Sequence, residues 1–148
     1  MSSLSADELI RELRLAPHPE GGWYCESHRD RQVSSDGRAR STAIYFLLKA
    51  GEISHWHRID ASEIWLWHAG ASLELSISTD GLETQTHRLG IDVPAGERPQ
   101  AVVPPHAWQS AKSLGNWTLV SCVVAPGFEF SAFELAAHDW RPRAAGNK

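Results

Sequence analysis

Nine short runs of β-forming residues, each closed by turn residues, fill the chain from Trp23 to Val124 and leave room for little but an all-β fold. They span residues 23–28, 42–48, 53–58, 63–68, 73–78, 83–89, 100–103, 108–111 and 117–124. The breaks carry residues that favour or tolerate a turn, as in Ser34-Ser35-Asp36-Gly37, Ala50-Gly51, Ala69-Gly70 and Pro94-Ala95-Gly96. The Asp80-Gly81 pair marks the clearest hairpin. Ahead of the strands lies one short helix: Ser5 caps it, Glu8 completes a capping box, and Leu4 and Leu9 occupy the staple positions. The helix must stop before Pro17-His18-Pro19-Glu20-Gly21-Gly22, where proline removes backbone donors and glycine supplies a turn. A single domain over 1–140 is expected, with a flexible polar tail over 141–148.

A chain of 148 residues can bury a core without covalent staples, and its two cysteines, Cys25 and Cys122, form no C-x-x-C pairing. Their usage fits a reducing compartment, and a cytoplasmic location is expected. A net charge of −4 without a Lys/Arg run lacks the footprint that phosphate-backbone binding requires, so nucleic acid is not an expected partner. Nor is a membrane, because the longest apolar stretch, residues 43–48, is far below the ~20 residues needed to span a bilayer. The unusual feature of the composition is eight His with seven Trp. Indoles supply flat apolar walls and imidazoles supply ligands or proton transfer near neutral pH, which together suggest a small-molecule pocket.

The stretch from Gly51 to Gly70 concentrates that chemistry. Side chains two apart on a strand share a face, so His55 and His57 should project together, and the turn over 58–62 should bring Glu63 opposite them. Two imidazoles and a carboxylate on one face suit a divalent first-row metal. By the same parity Trp65 and Trp67 share the face of Glu63, while Trp56 and Trp108 point away from His57 and Gln109. Cys122, in mid-strand, reads as a small core residue.

Together with Gly96 and the run Val102-Val103-Pro104-Pro105-His106-Ala107-Trp108-Gln109, this stretch resembles the paired signature of the cupin superfamily, G-x5-HxH-x3,4-E-x6-G and G-x5-P-x-G-x2-H-x3-N. The segments Pro17-His18-Pro19-Glu20-Gly21-Gly22, Ser41-Thr42-Ala43-Ile44-Tyr45, Trp56-His57-Arg58, Glu63-Ile64-Trp65 and Ala125-Pro126-Gly127-Phe128 are similar to an uncharacterised branch of short single-domain cupins. The resemblance implies a jelly-roll β-barrel with a short N-terminal helix, a pocket inside the barrel, and a homodimer formed through exposed edge strands. It also implies metal ligands at His55, His57, Glu63 and, in the place of the third histidine, Gln109; the ion would be zinc, iron, manganese or nickel.

Three departures from the pattern leave the site open. Three residues separate Gly51 from His55, five separate His57 from Glu63, and the usual glycine falls on His106. Either Gln109 or His106 could take the third ligand place, and a glutamine carbonyl is a weaker donor than imidazole. The leading expectation is a metal-assisted enzyme acting on a carbohydrate-like or other polar metabolite. Without a metal, His57 can act as general base in an epimerase or isomerase, with Tyr45 as the acid. In that setting Trp65, Arg58, Gln109 and Glu20 would contact substrate. A binding or sensing module without turnover is the third reading.

Overall fold

In a computed structural model of the protein, residues 4–143 are described. The N-terminal helix α1 (Ala6–Glu12) begins as its sequence dictates: the Ser5 side chain accepts from the Glu8 amide and the Glu8 carboxylate accepts from the Ser5 amide. Eleven strands follow: β1 (Ala16–Pro17), β2 (Trp23–Arg29), β3 (Thr42–Lys49), β4 (Ile53–Arg58), β5 (Ser62–Gly70), β6 (Leu73–Ser78), β7 (Gln85–Leu89), β8 (Gln100–Val103), β9 (Trp108–Ser113), β10 (Trp117–Ala125) and β11 (Glu134–Leu135). The nine expected from sequence are all present, and the two additions are two-residue edge strands too short to leave a periodic signal. No described helix is long and apolar enough to cross a membrane.

The strands form two antiparallel sheets, in the orders β1-β2-β3-β10-β5-β8 and β11-β4-β9-β6-β7. This is the jelly-roll arrangement, with one correction to the expected barrel: the sheets face each other but do not close. Between β7 and β8 the chain makes a short 3₁₀ turn, Val93–Ala95, around Pro94. The ladder there is reduced to an isolated bridge between Leu89 and Arg98.

Alternation along the strands builds two apolar layers. Phe46, Leu48, Trp65, Leu75, Val103 and Val120 fill the space between the sheets. On the other side of β3 and β10, Leu47 and Leu119 meet Leu9 and Leu15 beneath α1. A third cluster, Ile59, Ala61 and Val124 with Phe128 and Phe133, closes one end of the sandwich. Between that end and the central core the sheets stand apart around a cavity of about 410 Å³. Tertiary contacts continue to Arg143, whose amide donates to the Gly81 carbonyl. Positions 144–148 of the expected tail lie outside the described residues.

Candidate active site

The cavity is built by a loop, a bulge and a buried relay. The Pro17–Gly22 run folds back on itself, with Gly21 N–H donating to His18 O and His18 N–H donating to Gly22 O. It then lies across the edge of β4, where His55 N–H donates to the Glu20 carbonyl at 2.8 Å. Gly21 takes a left-handed φ of +107°, and any Cβ there would run into the Ile53 carbonyl. Only glycine lets the loop approach so closely, and the approach carries His18 and Glu20 into the cavity.

Opposite this loop, β4 gains one residue relative to β9: Ser54 pairs with Ala111, but the next pair is His57 with Gln109. The bulge corrects the expected parity. Ser54 and His57 are buried, whereas His55 and Trp56 between them turn outward. His55 reaches Ala137 O through Nε2 and stacks on His138, so it does not join His57. Ser54 and Glu20 replace it at the site, their side chains joined by a hydrogen bond.

A chain of donors orients the remaining groups. Trp65 is 1% exposed, and its indole N–H, which can only donate, meets Gln109 Oε1 at 2.8 Å. That fixes the amide, so Gln109 Nε2 donates to Glu63 Oε1 at 2.8 Å. His57 Nδ1 lies 2.7 Å from the His55 carbonyl, which can only accept, so Nδ1 carries the ring proton. In the neutral ring Nε2 then bears the lone pair. It faces Glu20 Oε2 at 3.5 Å, beyond ordinary hydrogen-bond length. His18 Nδ1 accepts from the Glu20 amide.

Burial sets the protonation of this cluster. Desolvation pushes the Glu20 carboxyl up to about 8, against a smaller opposing effect from Ser54. It pushes Glu63 up to about 7, opposed by His57 and reinforced by the nearby Glu20. Loss of water also lowers His57 below the usual histidine range and takes His18 down to about 4, with repulsion from His57 adding to the latter. Near pH 7 the cavity therefore presents neutral imidazoles beside a Glu20 carboxyl that still holds its proton and a Glu63 carboxyl close to half-protonated. Cys122 also lines the cavity, its thiol pushed well above its ordinary value by burial and by the adjacent carboxyls.

Several expected site residues stand elsewhere. Tyr45 points away from the cavity and packs beneath α1, because its neighbour Phe46 takes the inward position on β3. Tyr24, paired with Phe46 across β2 and β3, lines the cavity instead and sets its ring 4.4 Å from that of His18. Trp65 and Trp67 belong to the central core and do not wall the cavity. Arg58 lies on the outer face, bound to Glu134 and stacked over Trp108. His106 adopts the left-handed φ of +68° that the usual glycine would take, and its side chain is exposed. His57, Glu63 and Glu20 do line the cavity; Gln109 lies behind Glu63.

The donor set does not fit a transition metal as the sequence pattern implied. His55 is turned out, and the Gln109 carbonyl is already engaged by the Trp65 indole. Among the described residues no group of three or more His, Cys, Asp or Glu side chains is placed to hold an ion.

A sequence profile described as Cupin superfamily (DUF985) matches residues 7–136. An X-ray crystal structure of a Shewanella oneidensis protein superposes with a TM-score of 0.88 at 41% identity, covering 91% of this chain and 86% of that one. An uncharacterised Saccharomyces cerevisiae protein is 28% identical in a match that covers 85% of this chain and 72% of the yeast protein. Bacillus subtilis oxalate decarboxylase, a protein with Mn(II) centres, is similar in fold alone: 15% identity and a TM-score of 0.61, over 91% of this chain and 33% of the decarboxylase.

Proposed function

We propose, given that this chain belongs to the cupin superfamily in the family described as DUF985, that its cavity is a metal-independent acid–base site acting on a small polar carbonyl compound, as an isomerase or epimerase does. The observation that supports this reading is the buried, cavity-lining His57, whose Nδ1 proton is held by a backbone carbonyl and whose Nε2 lone pair is turned toward Glu20, which also lines the cavity. An uncharged, desolvated imidazole is a suitable base for a proton on carbon next to a carbonyl. The proton passes from that carbon to Nε2 while the electron pair moves onto the carbonyl oxygen. Glu63, oriented by Gln109 and close to half-protonated at neutral pH, donates to that oxygen. Return of the proton from Nε2 to the neighbouring carbon, while Glu63 takes back a proton from the hydroxyl that becomes the new carbonyl, gives an isomer. An epimer forms when the enol turns over in the cavity before Nε2 returns the proton to the original carbon and Glu63 recovers its own.

The volume of about 410 Å³ falls in the range of small-molecule sites, roughly 300–1,000 Å³. The test is proton exchange in D₂O. The protein is incubated with a panel of aldoses, ketoses, uronates and their phosphates, and deuterium uptake next to the carbonyl is followed by NMR. Uptake with one class, insensitive to EDTA and reduced at least ~100-fold in His57→Asn, is the expected result. Exchange that survives His57→Asn, is abolished by EDTA, or is absent across the panel removes the proposal.

A further inference from the structure

The mouth of the cavity carries a charge that the acid–base reading leaves unused. Arg14 and Arg29 both line it. Arg29 is engaged: Nε and Nη2 bind the two Glu26 carboxylate oxygens at 2.8 and 3.0 Å, Nη2 also donates to Phe128 O, and Glu129 lies 3.7 Å from Nη1. Arg14 is exposed and, among the described residues, has no carboxylate within ion-pair distance.

Its backbone is as informative as its charge. Helix α1 ends in a complete Schellman motif: Leu15 N–H donates to Ile10 O at 2.8 Å and Arg14 N–H donates to Arg11 O at 3.3 Å. The motif requires a left-handed residue, usually glycine, at the position Arg14 occupies, and Arg14 takes φ +55° there. An arginine at this point accepts a backbone conformation that glycine would adopt with less strain, and it puts a cationic residue into the lining of the cavity.

We infer that the cavity takes a small organic anion, its carboxylate or phosphate group held at the mouth by Arg14 while the rest of the molecule extends inward to His57. A guanidinium offers paired N–H donors that match the oxygens of either group. This deepens the small-molecule reading above and rests on it, by naming the charge the substrate carries.

Sodium phosphate and sodium propionate serve as probes of the two head groups, titrated into ¹⁵N-labelled protein against sodium chloride at matched ionic strength. The expected result is saturable shifts at the Arg14 side-chain Nε–H and the Leu15 and Ala16 amides, with the stronger response identifying the head group. In Arg14→Gly the apparent Kd should rise at least tenfold while the melting temperature holds or increases, because glycine suits the left-handed position. Shifts absent from the wild type, centred elsewhere, or retained in Arg14→Gly overturn the inference. His57→Asn separates the two proposals: it removes proton exchange and should leave the phosphate and propionate response within twofold. Anion binding without exchange would sink only the acid–base reading, and exchange without anion binding only this one.

Discussion

At the scale of single residues, the site depends on Gln109, a side chain with no formal charge. It accepts from the Trp65 indole and donates to Glu63, so every polar group in that row has a partner although all three residues are buried. Gln109→Leu strands the indole N–H and removes the donor to Glu63. We expect a loss of about 2–5 kcal/mol in chemical denaturation, since each stranded buried group costs about 1–3 kcal/mol. Trp65→Phe strands only the Gln109 oxygen and should cost less through hydrogen bonding. The double variant should lose less than the sum of the two, because removing both partners leaves no orphaned indole donor. Strict additivity would show that the relay contributes nothing as a unit. The residue types on this face were legible in the chain, but their pairing was not: which oxygen meets which donor depends on β5 of one sheet and β9 of the other arriving at one level.

At the scale of elements, the site is shaped by the extra residue in β4 and the glycine loop that lies over it. Strand periodicity placed His55 beside His57, yet the bulge moved Ser54 into that position and left room for Glu20 to enter from the loop. Nothing in Ile53-Ser-His-Trp-His-Arg58 marks an inserted residue, because all six positions are compatible with a regular strand. The loop was legible as a turn, whereas its destination was not. Gly21→Ala tests the coupling of loop to strand. A methyl group in a left-handed residue pressed against the Ile53 carbonyl should cost at least about 2 kcal/mol and displace Glu20 from His57. A variant as stable as the wild type, with an unchanged His57 environment by NMR, would show that the close approach is dispensable.

At the scale of the whole molecule, the buried cluster makes stability depend on pH in an unusual direction. Glu20 and Glu63 are raised in the folded state, to about 8 and about 7, so their neutral forms favour folding at low pH. That contribution declines as pH rises from the ordinary carboxylate value of 4.5 through these folded values. His18 and His57 are lowered, so their contribution is complete above the ordinary histidine value of 6.5 and fades as pH falls below it. Between pH 4.5 and 6.5 the two trends oppose each other. Above 6.5 only the carboxyls still act. Unfolding free energy should therefore fall between pH 6.5 and 8 by on the order of 2 kcal/mol, because each carboxyl that stays protonated in the folded chain alone loses about 1.4 kcal/mol for every tenfold drop in proton concentration. Glu20→Gln should flatten most of that decline. Urea titrations across this range decide the matter, and a stability that stays level from pH 6.5 to 8 in the wild type would refute the buried, proton-holding cluster.

The sequence by itself determined the all-β class, the nine principal strands, the capped helix, and the family, because those follow from local periodicity, turn chemistry and short motifs. It also suggested His57, Glu63, Glu20 and Gln109, together with His55, Tyr45, Trp65 and Arg58, as candidate site residues. Only the tertiary structure decided that His55 and Tyr45 leave the site, that Ser54 and Tyr24 enter it, and that the Gln109 carbonyl is spent on an indole. Each of those outcomes turns on a register shift, or on which face of a strand meets the helix. Such choices minimise the number of buried groups without partners over the whole molecule, and no window of the chain contains enough of the contacts to make them.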